Sequence, residues 1–290
     1  MKLVLITGCL GLIGSHITRQ CLEKGWQVYG IDKCTYAANI QFLPDFYKYD
    51  NFTFVQEDIA DLKYLPNCDY IVNTAAESHV GNSIIESQDF IKSNVEGVKN
   101  LLDLIRKKPA NIEKKPSNPY SASKAAADML IYAWARTYDI EYIILRPTNN
   151  YGIGQYPEKL IPICVKQLMR GKKIRHHDKG FPIRNWLHSD DTANAVITII
   201  ESGITNQVFN IAGGFEQKNI ETTIQIIKAF YGNEHRNIES YLDLGYKRQG
   251  QDVRYALNDN RLRNLGWKPK KKFEEELPKI VEYYKNNFKW

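Results

Sequence analysis

Short runs of hydrophobic residues alternate with amphipathic segments along the first half of the chain. Residues 2–6, 27–31, 52–55 and 69–73 are short apolar runs, which are typical of buried parallel strands. Helical spacing follows the first of these runs and returns from about residue 91 to 107. This alternation predicts an α/β fold built on a Rossmann-type doubly wound parallel sheet.

The second half of the chain has shorter and less regular segments. We expect residues 1–151 to form the Rossmann-type domain and residues 152–290 to form mainly a smaller C-terminal α/β lobe, with some segments returning to the first domain. The predicted helices are 120–138, 159–170, 190–202, 219–231 and 273–288, the predicted strands 142–146 and 208–212, and the predicted loop 148–152.

Composition and charge are those of an ordinary globular protein: 290 residues, 43% hydrophobic, 25% charged, with a net charge of +6. No apolar run reaches the roughly 20 residues that a bilayer requires, and residues 2–6 enter a strand without the features of a signal peptide. No basic and aromatic residues interleave as in a nucleic-acid groove. The five scattered cysteines form no C-x-x-C pair, which favours reduced thiols in the cytoplasm and no metal site.

A glycine-rich turn joins the first strand to the first helix. Gly8, Gly11 and Gly14 follow the run 2–6, and the second strand ends at Asp32. Glycines at this turn let the backbone approach a pyrophosphate at the helix N-terminus, and a downstream acid accepts hydrogen bonds from ribose hydroxyls. Because a carboxylate repels a 2′-phosphate, the pattern predicts NAD in preference to NADP. We therefore expect residues 1–151 to be the NAD-binding domain and residues 152–290 to be mainly the substrate-binding lobe.

Ligands of doubly wound sheets lie beyond the carboxyl ends of the strands. Asp58 and Ile59 follow the third strand, and we expect them to flank the adenine. Ala75 and Ala76 follow the fourth strand, where small side chains let the cofactor lie close to the backbone.

Tyr120 and Lys124 lie four residues apart at the start of a helical segment and therefore on one helical face. An ammonium beside a phenol favours the phenolate, so Tyr120 could transfer protons near neutral pH. By itself this pair is common on protein surfaces. The pair indicates a catalytic role only when a dinucleotide-binding site lies in the same domain.

A strand expected between the helix 91–107 and Tyr120 is not evident. The intervening residues 108–119 contain three prolines and no apolar run. Losing an interior strand would leave unpaired backbone groups, at a cost of roughly several kcal/mol. We therefore hypothesise that a stretch of a few tens of residues is missing from this sequence between Arg106 and Ser117.

Taken together, these features resemble the nucleoside-diphosphate-glucose 4,6-dehydratases, which act on dTDP- or UDP-glucose and belong to the extended short-chain dehydrogenases/reductases. The resemblance covers nearly the whole chain. The motifs that carry it are AAESHVGNSI (75–84), YSASK (120–124), RPTNNYG (146–152), YPEKLIP (156–162), RNWLHSDD (184–191), FNIAGG (209–214) and RQGQDVRYA (248–256).

The resemblance implies dehydration of a nucleoside-diphosphate-glucose to its 4-keto-6-deoxy product: oxidation at C4, loss of water across C5–C6, and hydride return to C6. Tyr120 and Lys124 would be catalytic. The implied NAD-binding residues are Gly8, Gly11, Leu12, Ile13, Gly14, Asp32, Lys33, Thr35, Asp58, Ile59, Ala75, Ala76, Ser78, Ser93, Tyr120, Lys124 and Asn150. The implied sugar-nucleotide-binding residues are Ser78, Asn149, Lys159, Leu160, Arg184, Asn219, Arg248, Asp252 and Tyr255.

Several positions depart from the family pattern. Gly81 and Asn82 replace an Asp-Arg pair, Asn185 replaces a frequent Asp, and residues 175–180 differ from the usual nucleoside loop. The family's Thr-Asp-Glu run, which supplies the acid and base of the elimination, does not appear before Tyr120. Glu113 lies in a lysine- and proline-rich stretch and is not assigned that role.

Two other functions remain open at this point. A 4-epimerase or decarboxylase of the same family would share the oxidation step, and a non-catalytic sugar-nucleotide binding protein would need no elimination acid or base. The resemblance also implies a homodimer formed through the helix that begins at Tyr120 and the helix before it. Its residues Met129, Leu130, Tyr132, Ala133 and Trp134 extend over more than one buried face.

Overall fold

The structure is a computed structural model that describes residues 2–105, 119–232, 237–246, 253–254 and 256–288. The chain divides into two compact units, Met1–Ile144 with Ile199–Val208, and Leu145–Thr198 with Phe209–Trp290. The proposed sharing of cofactor and substrate binding between residues 1–151 and 152–290 stays a prediction. Within the described ranges, no helix is both long and apolar enough to cross a bilayer.

The first unit contains a four-stranded parallel sheet with the order β3-β2-β1-β4. In β1 four of the five residues are buried, as expected for a central strand of a parallel sheet covered on both faces. The strands are β1 (Leu3–Thr7), β2 (Gln27–Asp32), β3 (Phe52–Gln56) and β4 (Tyr70–Asn73).

The helices of the first unit are α1 (Leu12–Glu23), α2 (Leu43–Phe46), α3 (Val80–Ile85), α4 (Gln88–Ile91), α5 (Gly97–Ile105) and α6 (Pro119–Tyr138). Helices α4 and α5 are joined through a π-helical turn, Lys92–Glu96, so the predicted helix 91–107 begins earlier and contains a wide turn. Pro119 begins α6, a position where proline is favoured because the first helical N–H has no intrahelical partner.

The second unit is a mixed α/β body. Its three-stranded sheet has the order β10-β8-β6, and a two-stranded sheet pairs β11 with β7. Helices α7, α9 and α11 cover one large core that includes Tyr151, Trp186 and Phe273. The elements from residue 143 onward are β5 (Ile143–Pro147), β6 (Asn149–Tyr151), α7 (Leu160–Met169), β7 (Ile174–His177), β8 (Ile183–His188), α8 (Ser189–Ser202), β9 (Gln207–Ile211), β10 (Phe215–Lys218), α9 (Asn219–Tyr231), β11 (Leu242–Tyr246), α10 (Asn260–Arg263) and α11 (Phe273–Asn287).

The prediction of a loop over residues 148–152 is wrong. Asn149–Tyr151 forms β6, in which Asn149 pairs with Trp186 and Tyr151 with His188. The strands β7, β8, β10 and β11 were also absent from the sequence-based expectation. Each is only four to six residues long, so pairing with a neighbouring strand rather than the local pattern decides that these residues are extended.

The expected gap between Arg106 and Ser117 lies outside the described residues. Among those described, β4 pairs on one side only, with β1. Its residues Ile71 and Val72 are only half-buried, in contrast to the buried core of β1.

Candidate active site

The glycine turn after β1 is packed too tightly to hold side chains. Gly8 has a φ of +67°, and its N–H donates to the Ile31 carbonyl at 2.7 Å. A Cβ at Gly8 would lie 2.7 Å from the backbone nitrogen of Ala75, and a Cβ at Gly14 would lie 2.1 Å from the Gly8 carbonyl oxygen. Both glycines are therefore required by the fold of the turn, because backbone atoms already occupy the space that a side chain would need.

The N-terminus of α1 follows this turn. Gly11 is its N-cap and supplies no capping side chain, and the first turn contains no acidic residue. The first-turn N–H groups, which include those of Leu12 and Ile13, have no intrahelical acceptors, and the helix dipole adds partial positive charge there. This end of α1 suits the pyrophosphate of a dinucleotide.

Asp32 is buried at the end of β2. One carboxylate oxygen accepts the N–H of Leu10 at 3.0 Å, and the other accepts the N–H of Cys34 at 2.8 Å. Burial raises the pKa of Asp32 above its ordinary value, although these two bonds and Lys33 oppose the shift. Each oxygen retains a second lone pair, so the carboxylate is oriented by the backbone and can still accept from ribose hydroxyls.

Lys33, Asp58 and Ser93 form a polar cluster beside Asp32. The Lys33 ammonium donates to the Ser93 hydroxyl at 2.9 Å and lies 3.4 Å from the Asp58 carboxylate. Burial by itself would raise the pKa of Asp58. The hydrogen bond from the Ala60 N–H and the ammonium groups of Lys33 and Lys92 hold that pKa below its ordinary value.

These groups line one open, concave cavity. Ten predicted cofactor residues lie on its wall: Gly8, Gly11, Asp32, Lys33, Thr35, Asp58, Ile59, Ala75, Ala76 and Ser93. The wall also contains residues that sequence reasoning did not assign, namely Ile31, Ala37, Ala38, Glu57, Thr74 and Glu77. Leu12, Ile13, Gly14, Ser78, Tyr120 and Lys124 are not part of that wall.

Thr74 explains why the turn and β4 stay together. Its hydroxyl donates to the Thr7 carbonyl at 2.6 Å, and the Ala75 N–H donates to the Thr7 hydroxyl at 3.3 Å. Three features of this site suit NAD: the two glycines of the turn, the N-terminus of α1, whose first N–H groups have no intrahelical acceptors, and the carboxylate of Asp32, which backbone hydrogen bonds orient.

Tyr120 and Lys124 lie one turn apart at the start of α6, as predicted. Burial raises the pKa of the Tyr120 phenol, and burial lowers the pKa of the Lys124 amine, with Asp128 opposing the second shift. The expectation that Lys124 lowers the pKa of Tyr120 is thus contrary to the direction found in the protein alone. Burial disfavours the charged form of each group, which is the main cause of both shifts.

In the second unit, the predicted residues Asn149, Arg184 and Asn219 are grouped around β8. Asn149 pairs with Trp186 of β8, and the Asn219 N–H donates to the Pro182 carbonyl at 3.0 Å. The side-chain oxygens of Asn149 and Asn219 are buried, and neither has a hydrogen-bond partner within the described part of the chain. Buried amide oxygens of this kind are candidates for a ligand contact.

The other predicted residues of this unit differ in their surroundings. Asn150 donates to the Thr148 carbonyl at 3.0 Å and accepts the Thr192 hydroxyl at 2.6 Å. Lys159 precedes α7 and pairs with Glu158 at 2.8 Å, and Leu160 packs against the core. Arg248, Asp252 and Tyr255 lie outside the described residues.

The departure at Asn185 has a structural explanation. Its side-chain oxygen accepts the Thr148 hydroxyl at 3.0 Å and the Gly213 N–H at 2.9 Å. Its Nδ2 donates to the Glu216 carboxylate at 3.4 Å. An aspartate could not donate and would repel Glu216, so an amide suits this neighbour.

The expected nucleoside loop, residues 175–180, begins as a strand. His176 is buried within β7, and burial lowers its pKa, with a smaller contribution from His177. His177 is exposed, and its ring contacts that of Tyr246 at a centroid distance of 6.0 Å. The adjacent histidines therefore point to different environments.

Two family models match the chain. The NAD dependent epimerase/dehydratase family matches residues 107–212, and the GDP-mannose 4,6 dehydratase model matches residues 5–115. A UDP-glucose 4-epimerase structure from Thermotoga maritima superposes with a TM-score of 0.83, at 24% identity over 99% of this chain and 100% of that chain. The fold and the dinucleotide cavity thus define an NAD-dependent epimerase or dehydratase.

More similar relatives specify the branch. The low-salt glycan biosynthesis protein Agl12 of Haloferax volcanii is 34% identical over 97% of this chain and 98% of its own length. The dTDP-glucose 4,6-dehydratase of Neisseria meningitidis is 33% identical over 100% of this chain and 95% of its own length. DesIV is a dTDP-glucose 4,6-dehydratase of Streptomyces venezuelae that was crystallised with NAD and TYD. It is 31% identical to this chain and superposes with a TM-score of 0.89, covering 98% of this chain and 97% of its own. The chain belongs to the dTDP-glucose 4,6-dehydratase family, which confirms the predicted family, fold class, NAD cofactor and hydro-lyase class.

Proposed function

We propose that this enzyme dehydrates dTDP-glucose to the 4-keto-6-deoxyglucose nucleotide. The observation that carries the proposal is near full-length similarity to proteins named dTDP-glucose 4,6-dehydratase, at 32–33% identity over 94–96% of their lengths. Incubation with dTDP-glucose and NAD should yield a product lighter by one water. A product of unchanged mass would instead support a 4-epimerase, and binding without any product would support a sugar-nucleotide binding protein.

For the oxidation we assign the proton transfer to Tyr120 and its support to Lys124. Bound NAD would supply the hydride acceptor for C4 and the hydride donor for C6. Tyr120 would take the proton of the sugar 4-hydroxyl, for which the phenol must first ionise. Since burial raises its pKa, kcat should rise with pH until other groups limit the reaction.

We assign dinucleotide binding to the ten predicted residues on the cavity wall, together with Leu12, Ile13, Gly14, Ser78, Tyr120, Lys124 and Asn150. Sugar-nucleotide binding is assigned to Ser78, Asn149, Lys159, Leu160, Arg184, Asn219, Arg248, Asp252 and Tyr255. The buried side-chain oxygens of Asn149 and Asn219, which have no hydrogen-bond partner among the described residues, support this assignment most directly. Asn149→Leu and Asn219→Leu should raise KM for the sugar nucleotide while leaving NAD affinity unchanged, as titration of each variant would measure.

The preference for thymidine over uridine is also a proposal. It rests on the names of the relatives and not on an assigned base contact. Comparing kcat/KM for dTDP-glucose and UDP-glucose tests it, and an equal or larger value for UDP-glucose would reverse the assignment.

The elimination needs an acid and a base, which we place in the segment proposed to be missing between Arg106 and Ser117. Two observations support that segment. Alignments with relatives extend over 310 and 339 positions, more than the 290 residues of this chain. Among the described residues, β4 is paired on one side only and is half-buried. An intact mass of 33.5 kDa for the natural protein would exclude the segment.

A homodimer and a cytoplasmic location complete the proposal. Leu130 and Trp134 of α6 pack against Val98 and Leu102 of α5, so part of the apolar surface of α6 is used within the chain. Met129 and Ala133 are half-buried and could extend to a second copy. Light scattering at micromolar concentration tests the dimer, and cell fractionation tests the location, for which the five unpaired cysteines argue.

A further inference from the structure

Asn94 is a polar residue at a position where the helix pattern calls for an apolar one. Phe90, Asn94, Val98 and Leu102 are spaced four apart and are all buried, and Asn94 is 0% exposed. It lies in the π-helical turn Lys92–Glu96, next to the buried Ser93. Because that turn is wide, two consecutive residues both face inward, toward different partners.

The Asn94 amide joins two other segments of the chain. Its oxygen accepts the Glu77 N–H at 2.9 Å, and its nitrogen donates to the Glu77 carbonyl at 3.0 Å. The same nitrogen donates to the Ser123 hydroxyl at 2.9 Å. The two bonds to the Glu77 backbone allow only one orientation of the amide, because an N–H must meet an oxygen and a carbonyl must meet a donor.

The second segment is the turn that carries the catalytic tyrosine. The Ser123 hydroxyl donates to the Tyr120 carbonyl at 2.8 Å, and Ser123 is 1% exposed. Glu77, at the other end of the link, lines the cofactor cavity. A continuous series of hydrogen bonds therefore runs from the cavity wall through Asn94 and Ser123 to the first turn of α6.

We propose that Asn94 is a positioning residue for Tyr120. It holds the first turn of α6 in register with the cavity wall, so that the phenol meets the sugar beside the bound cofactor. A leucine at this position would continue the apolar stripe but would break the link. This inference rests on the proposed function, since it assigns Tyr120 the oxidation step.

The test compares Asn94→Ala with the wild-type holoenzyme. A displacement of roughly 1 Å at a reacting group can cost about 100-fold in rate, so we expect kcat and the single-turnover rate of cofactor reduction at 340 nm to fall by about that factor. KM and NAD content should change by less than about threefold, because Asn94 is fully buried and is not part of the cavity wall. Unchanged kcat, or a loss confined to NAD content, would overturn the proposal.

Two further variants separate positioning from stability. Asn51→Ala removes a comparable amide bond in the same unit, from Asn51 to the Trp26 carbonyl at 2.6 Å, and should lower stability with kcat unchanged. Ser123→Ala breaks the same link one step later, and combining it with Asn94→Ala should lower kcat no further than either change alone. Additive losses would contradict the link. If Asn94→Ala does not fold, Ser123→Ala tests the proposal on its own: a fall in kcat supports the link, and an unchanged kcat overturns it.

Hydrogen exchange gives a readout that does not depend on activity. In Asn94→Ala holoenzyme, peptides that contain residues 120–124 should exchange faster than in wild type, while peptides from β1 stay unchanged. If wild type releases no water from dTDP-glucose, the proposed function fails and the exchange experiment still tests the link. Equal exchange at residues 120–124 would overturn the positioning role whatever the reaction is.

Discussion

The two ends of the candidate site in the first unit are built in different ways. At the glycine turn, main-chain groups do the positioning: the Gly8 N–H binds the Ile31 carbonyl, and Asp32 accepts two backbone N–H groups. At the start of α6, side chains do it: Ser123 and Asn94 connect the Tyr120 turn to Glu77. The glycine turn is positioned by backbone hydrogen bonds and by glycines that leave room for close packing. The start of α6 is positioned by the side-chain hydrogen bonds of two polar residues.

This difference teaches where substitutions should act. Adding atoms at the glycine turn should damage cofactor binding, because no space exists for them. Removing atoms beside α6 should slow the reaction while the cofactor still binds. The predictions below test this separation.

The largest effect is expected from Tyr120→Phe. Removing the phenolic oxygen deletes the proposed proton-transfer group. Such a group typically contributes about 10²- to 10⁴-fold, so kcat should fall by roughly 10³-fold. NAD content, measured after denaturation, should stay near the wild-type value. Tyr29→Phe, in β2, is the control and should retain normal kcat. Loss of NAD from Tyr120→Phe would break the separation between the two ends.

Gly14→Ala should act mainly on the cofactor. Its Cβ would lie 2.1 Å from the Gly8 carbonyl, so the turn must move, at a cost of about 1–3 kcal/mol. We expect NAD affinity to fall by about 10- to 100-fold, measured by calorimetry, since 1.4 kcal/mol is tenfold. Gly25→Ala is the control: its φ is +72° but no atom lies within 4 Å, so it should cost stability without affecting NAD. Equal NAD loss in both would contradict the close-packing argument.

Asp32→Asn should change cofactor choice. Removing the carboxylate weakens the hydrogen bonds to ribose and removes the repulsion of a 2′-phosphate, so NAD affinity should fall by about tenfold while the preference over NADP narrows. Titration with each dinucleotide measures both constants. Asp45→Asn, at an exposed pair with Lys48, should change neither. An unaltered preference would remove Asp32 from the assigned ribose contacts.

The smallest effect is expected from Lys33→Met, through Asp58. The pKa of Asp58 is lowered in the folded protein, so its contribution to stability is present above the ordinary pKa of an aspartate and is lost as pH falls through the lower folded value. Lys33→Met should therefore cost about 1 kcal/mol in urea unfolding at pH 7 and much less near pH 3. If the free energy of unfolding falls by the same amount at both pH values, the effect of Lys33→Met comes from lost packing and not from the charge of Asp58.

The pKa of Asp32 is shifted in the opposite direction, and the sign reverses accordingly. Burial raises it, so ionised Asp32 opposes folding at neutral pH, and this cost disappears as pH falls through the raised value. The ionised carboxylate of Asp32, which is oriented for a ligand, therefore lowers the stability of the fold at neutral pH. The ionised carboxylate of Asp58 raises it.

Sequence alone could predict the glycine turn, Asp32 and the four strands of the first unit. Each of these depends on residues close together in the chain: a run of apolar residues, a glycine where no side chain fits, an acid at the end of the next strand. Asn94 carried a signal too, as the one polar member of a stripe spaced four apart. What it binds could not be read, because Glu77 and Ser123 are 17 and 29 residues away.

Only the tertiary structure decided the strands around β8, the inward position of His176 and the directions of the pKa shifts at Tyr120 and Lys124. Short polar strands are extended because neighbouring strands hydrogen-bond to them, and burial depends on which segments pack together. Local spacing placed Tyr120 and Lys124 on one helical face. The directions of their pKa shifts follow from burial, which cannot be read from spacing along the chain.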